Sequence, residues 1–115
     1  MTDAIAYKIL SQGELEILEH DGRFDGAVVD QQDGYIHLST ADQLAETLDK
    51  HFAGRTDLAI VAVDLDGLGE QIRWEPSRGG QLFPHLYGPM TLDTVVAFGS
   101  LEREADGSVK LPVAG

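Results

Sequence analysis

Two short stretches hold side chains suited by type and spacing to proton transfer and anion binding. In Asp33-Gly34-Tyr35-Ile36-His37-Leu38-Ser39-Thr40, an imidazole stands just ahead of two hydroxyls. An imidazole exchanges protons near neutral pH, and hydroxyls orient oxyanions. Ser39 and Thr40 also stand where a helix is expected to begin, and the unpaired backbone N–H groups of a helix start attract phosphate or carboxylate. The second stretch, WEPSRGGQLFPHLYG, runs from Trp74 to Gly88. It joins the carboxylate of Glu75 to the planar donor fork of Arg78, beside Gly79 and Gly80, where a backbone can approach a ligand closely. In an extended segment, His85 and Tyr87 share one face with Phe83 beside them.

Each residue also has a plainer account. Capping alone explains Thr40, with Ser39 assisting. Trp74, Phe83 and Leu86 suit a core, and Arg78 can simply pair with Glu75. His37 reads equally as a site residue or as a hydrogen-bonded part of the scaffold. The four histidines (His20, His37, His51, His85) are scattered, with no H-x-x-x-H or H-E-x-x-H spacing, so no metal site is expected. There is no P-loop, G-x-G-x-x-G or G-x-S-x-G motif.

The elements that must position these residues read as α+β. Ala4–Leu10 forms a first strand, and Ser11 with Glu14 makes a capping box for a short helix that ends at His20-Asp21-Gly22. Arg23–Gln32 lacks periodicity and reads as a long surface loop. Tyr35–Ser39 alternates, with Ile36 and Leu38 on one side and Tyr35, His37 and Ser39 on the other. Thr40 and Gln43 form a second capping box, opening a helix whose stripe is Leu44, Leu48 and Phe52. Leu58–Val63 is an apolar strand buried on both faces. Gln71–Glu75 is a short strand and Pro76–Gly80 a loop. Leu82–Tyr87 is a strand that Pro84 assigns to a sheet edge. Thr94–Leu101 is a strand, and Ala105–Ser108 turns a final hairpin. The strands do not alternate regularly with helices, which disfavours a βαβ architecture.

At 115 residues, the chain is expected to form one domain over 1–115. Twenty acidic residues against eight basic ones give a net charge of −12, and no basic cluster is present, so nucleic acid is not an expected partner. No apolar run is long enough to span a bilayer, and Met1–Leu10 has no basic region of the secretory kind. With no cysteine, the chain is expected to be cytoplasmic and free of disulfides.

The stretches DGYIHLSTADQ, LDKHFAG and RWEPSRGGQLFPHLYGPM, with YKIL near the start, resemble the domain of unknown function 952 family over roughly Tyr7 to Val96. Leu15 stands where that family has Trp, and Tyr35 where it has Phe. The resemblance implies a bacterial protein of unassigned activity and an ADP-ribosyltransferase-like fold. Such a fold has two small, curved, mostly antiparallel sheets around a cleft that receives NAD, with about two helices. The HLS segment before a helix is also similar to part of the RNA 2′-phosphotransferases, which use NAD with several arginines and a histidine. Here only His37 and Arg78 answer that pattern, and the charge argues against RNA.

Three functional readings follow. In the first, a transferase or hydrolase acts on an NAD- or ADP-ribose-type ligand. His37, Glu75 and His85 are then the candidate catalytic residues, with Glu75 stabilising an oxocarbenium-like ribose. Lys8, Tyr35, Ser39, Thr40, Arg78, Gly79, Gly80 and Tyr87 are the candidate ligand-binding residues, with Arg78 on a phosphate. In the second, the same cleft binds a nucleotide or organic anion without turnover. In the third, the FPHLYG strand is an edge offered to another protein.

Overall fold

A computed structural model of the protein describes residues 4–112, apart from the side chain of Arg78. Met1–Asp3, within the stretch read for a secretory signal, lie outside the described residues. Strand β1 (Ile5–Ser11) leads directly into helix α1 (Gln12–Asp21). Strand β2 (Arg23–Phe24), helix α2 (Val28–Asp33) and strand β3 (Ile36–His37) follow, all short. A 3-10 turn over Ala41–Gln43 opens helix α3 (Leu44–His51). Then come β4 (Leu58–Asp64), the single turn α4 (Leu65–Leu68), β5 (Ile72–Pro76), β6 (Leu82–Leu86), β7 (Met90–Thr91) and β8 (Val95–Ser100). The architecture is α+β, with antiparallel pairing throughout the named sheets.

The capping box of α1 forms as its sequence dictates. Glu14 N donates to Ser11 Oγ at 3.1 Å, and Ser11 N donates to Glu14 Oε1 at 2.8 Å. Gly22 closes the helix at φ 75°, a left-handed conformation natural to glycine. Leu15 and Leu18 turn inward. In the sheet ordered β1-β4-β8, the central β4 is buried on both faces, as its unbroken apolar run requires. Ala59, Val61 and Val63 face the main core with Leu10, Leu18, Leu38 and Leu86. Leu58 and Ile60 face a second cluster, closed by Leu44 and Leu48 of α3.

Three features correct the sequence reading. The sheets number three among the described residues, because β2 and β7 pair separately from β1-β4-β8 and β3-β6-β5. Arg23–Gln32 is not a loop: it contains β2 and most of α2. Val28 and Val29 of α2 are exposed, so this helix has no apolar stripe to betray it, and α4 is a single turn. With α2 and α4, the described residues hold four α-helices where about two were expected. The third correction concerns β6, which is the central strand of its sheet despite Pro84. In an antiparallel strand, a residue's N and C=O point to the same neighbour. The Pro84 carbonyl accepts from Leu38 N at 3.1 Å, so the missing N–H faces the side where β3 has already ended and leaves the β5 ladder intact.

Candidate functional site

Register gives the β3-β6-β5 sheet two unlike faces. His37 pairs with His85 and His85 with Arg73, so these three form one row across the strands. Side chains two apart share a face. Tyr35 and His37 therefore lie with Phe83, His85 and Tyr87, and with Arg73 and Glu75. The opposite face carries Ile36, Leu38, Leu86, Ile72 and Trp74 into the main core. The same alternation that buries the core thus gathers the titratable and aromatic groups.

Glu75 is the hub of one half. His85 Nδ1 lies 2.8 Å from Glu75 Oε1, and the Tyr87 hydroxyl donates to the same oxygen at 2.7 Å. The hydrogen bonds from Tyr87 and then His85 hold the Glu75 carboxyl below its ordinary range. The reciprocal bond holds the proton on Tyr87 and raises its hydroxyl. The His85 side chain is only 3% exposed, and the Tyr35 ring stacks on it at 4.1 Å between centroids. Arg73 lies over the Tyr87 ring at 4.9 Å. With Nδ1–H committed to a carboxylate, neutral His85 keeps Nε2 as a proton acceptor.

Asp30 is the hub of the other half. It sits three residues into the Ala27-capped α2, and its Oδ2 accepts from Ala27 N at 2.8 Å. Lys8 Nζ stands 2.9 Å from Oδ2 and 3.1 Å from Oδ1. His37 reaches Oδ1 with its backbone N at 3.0 Å and with Nδ1 at 2.6 Å. Burial alone would raise the Asp30 carboxyl, but the His37 hydrogen bonds and the Lys8 charge together hold it well below the usual carboxylate range. Lys8 shares its strand face with Ala6 and Leu10 of the main core, so its ammonium requires this partner. On the far side of the ring, His37 Nε2 lies 2.9 Å from Asp33 Oδ2. The two imidazoles stand edge to face, 5.6 Å between centroids, with Tyr35 beside both.

Of the residues singled out by sequence, Tyr35, His37, Glu75, His85 and Tyr87 converge on this face, and Lys8 lies beneath it. Ser39 and Thr40 are engaged elsewhere. Ser39 pairs its backbone with Tyr7 and sets its buried Oγ 3.2 Å from Thr47 Oγ1. Thr40 N donates to Gln43 Oε1 at 2.9 Å, which caps the 3-10 turn. Gly79 and Gly80 adopt φ 64° and 78° in the turn after β5. The orientation of Arg78 lies outside the described residues.

This arrangement belongs to a chain whose residues 9–98 match a family described as protein of unknown function (DUF952). The chain belongs to the DUF952 family. It is similar to protein CC0527 from Caulobacter crescentus, whose X-ray structure is 44% identical, superposes with a TM-score of 0.83, and is matched over 92% of this chain and 93% of that one. The solution NMR structure of CC0527 gives 44% identity and a TM-score of 0.79 over 92% and 91% of the two chains. No curated protein matches the chain. The family model carries no assigned function, and CC0527 comes from a bacterium. Among the described residues no helix is long and apolar enough to cross a membrane.

In this DUF952 chain, sequence reasoning missed Asp30, Asp33 and Arg73 as members of the cluster. Arg73 had a signal: it alternates with Ile72 and Trp74 in β5, on the same side as Glu75. Asp33 had a weaker one, four residues before His37. Asp30 had only its spacing of three from Ala27.

Proposed function

We propose that the β3-β6-β5 face binds a small anionic ligand of the NAD or ADP-ribose type and serves acid–base chemistry on it, as in glycosyl or ADP-ribosyl transfer. One observation carries this reading: two carboxylate–imidazole pairs, Asp30–His37 and Glu75–His85, meet on one sheet face with their rings 5.6 Å apart. At His85 the carboxylate on Nδ1 fixes ring orientation and tautomer and stabilises the imidazolium that forms on proton uptake, while His37, with a carboxylate at each nitrogen, serves as a hydrogen-bond donor. Tyr35 and Tyr87 offer aromatic faces for a base or nicotinamide ring. His37 and Arg73 supply positive charge for phosphate oxygens. In a transfer, the C1–N bond of the glycosyl donor breaks with its electron pair leaving on the base. Glu75 opposes the charge developing on the ribose, and the acceptor forms the new bond at C1 as its proton passes to an imidazole. The nucleotide class is suggested by the resemblance to ADP-ribosylating folds, and the acid–base role by the geometry.

Binding without turnover is favoured by one feature, the near-complete burial of His85 under Tyr35. Titration of NAD and ADP-ribose, followed by histidine and amide NMR, tests the shared core of both readings. Saturable shifts at Tyr35, His37, His85 and Tyr87 are expected. Unchanged spectra at millimolar ligand would overturn the nucleotide reading. Release of free nicotinamide or a transferred product would separate enzyme from binder.

A further inference from the structure

Asp30 is one carboxylate between two cationic groups. Lys8 Nζ and His37 Nδ1 both contact it, and its side chain is fully buried. His37 carries a second carboxylate contact, at Nε2, from Asp33. An ionised carboxylate only accepts hydrogen bonds, so His37 can satisfy both acids only by donating from both nitrogens, as an imidazolium. Lys8 and His37 then bring two positive charges against the single negative charge of Asp30. Asp33 neutralises the surplus, and it differs from Asp30 in kind: its side chain is 45% exposed. It also ends α2, where the free carbonyls of a helix C-terminus disfavour a carboxylate. Nothing in the helix itself recommends an acid there, whereas the contact with His37 does.

We propose that the outer edge of His37 is an oxyanion subsite, occupied from within the chain by the Asp33 carboxylate and open to a phosphate or carboxylate oxygen of a ligand that displaces it. The buried Lys8–Asp30 pair beneath the ring fixes the donor direction, and Asp33 acts as a replaceable internal anion. The subsite deepens the proposed nucleotide site and rests on that reading for its biological ligand, where it receives a phosphate oxygen. The displacement costs little, because half-exposed ion pairs are weak.

The test uses inorganic phosphate as the probe, in a phosphate-free buffer, with the Nε2 and Hε1 NMR signals of His37 as readout. Asp33→Asn and Asp33→Ala each remove the competing charge at a half-exposed position that the core does not use. Both are expected to bind phosphate about three- to tenfold more tightly than the parent chain, with the shifts centred on His37. Adding His37→Gln to either variant is expected to abolish the gain, read in those variants from the backbone amide shifts of residues 35–38. Equal or weaker phosphate binding by both variants would overturn the subsite, as would shifts that follow Arg73 and Tyr87 instead of His37. A parallel titration with ADP-ribose keeps the two claims apart. A phosphate gain without any ADP-ribose response leaves the subsite standing and removes the nucleotide reading. Saturable ADP-ribose binding with no gain in the Asp33 variants does the reverse.

Discussion

At Asp30 a single carboxylate holds together a lysine, a histidine and the start of a helix. Removing its charge leaves Lys8 buried without a counterion, so Asp30→Asn is expected to destabilise the fold by about 3–5 kcal/mol, measured by urea unfolding. The acid limb should change as well. The Asp30 carboxyl titrates lower in the folded chain than in the unfolded one, so its contribution is complete above the ordinary carboxylate pKa and is lost as pH falls below about 4. The variant should therefore lose stability less steeply than the parent over that acid range; an equally steep loss would assign the acid limb to other carboxylates. Glu75 offers a different readout. Its negative charge holds the proton on Tyr87, so Glu75→Gln is expected to lower the Tyr87 pKa toward that of a free tyrosine. The ring NMR shifts of Tyr87 against pH report this residue by itself, and an unmoved titration would mean that the Tyr87 bond does not persist in solution.

Among the elements, α2 is the one held by polar contacts where the others are held by burial. Its valines are exposed, and the buried member is Asp30. The approach to it is tight. Gly26 has φ +113°, and a Cβ placed there would lie 2.9 Å from the Cβ of Asp30. Gly26→Ala combines a strained backbone with a clash against the residue that organises the cluster, and a loss of about 1–3 kcal/mol is expected. Gly88 provides the comparison. A Cβ there would meet the terminal amide of Gln71, the far end of a flexible side chain that can swing aside. Gly88→Ala should consequently cost clearly less than Gly26→Ala in parallel thermal melts. Equal costs would show that the segment before α2 adjusts more freely than its contacts imply.

For the whole molecule, a net charge of −12 opposes compaction by self-repulsion. Raising ionic strength from about 0.01 M to 0.15 M shortens the screening length from roughly 30 Å to 8 Å. The melting temperature is expected to rise over that range, because the strongest local pair, Lys8–Asp30, is buried and poorly screened. A falling melting temperature would mean that exposed pairs such as Arg103–Asp49 and Lys50–Glu46 outweigh the repulsion. The same charge sharpens the ligand question. An anion would have to be drawn by local positive groups against the field of the molecule, and on the polar face of the β3-β6-β5 sheet Arg73 is such a group.

The sequence alone determined whatever depends on neighbours in the chain. The Ser11–Glu14 box, the Gly22 stop and the doubly buried β4 are all local patterns, and each formed as read; α3 buries Leu44 and Leu48 as read but ends at His51, one residue short of Phe52. Alternation in Tyr35–Ser39 placed Ile36 and Leu38 inward, and His85 and Tyr87 were read onto one face for the same reason. Tertiary structure decided what depends on register between distant strands. It set His85 between His37 and Arg73, made β6 central despite Pro84, and brought Lys8 across to Asp30. It also divided the HLST segment, turning His37 toward the acids, Ser39 Oγ toward Thr47 and the Thr40 backbone N toward Gln43. Local periodicity reports which way a side chain points. Only the pairing of strands reports what it meets there, and in α2 that meeting is a buried charge that leaves no periodic trace.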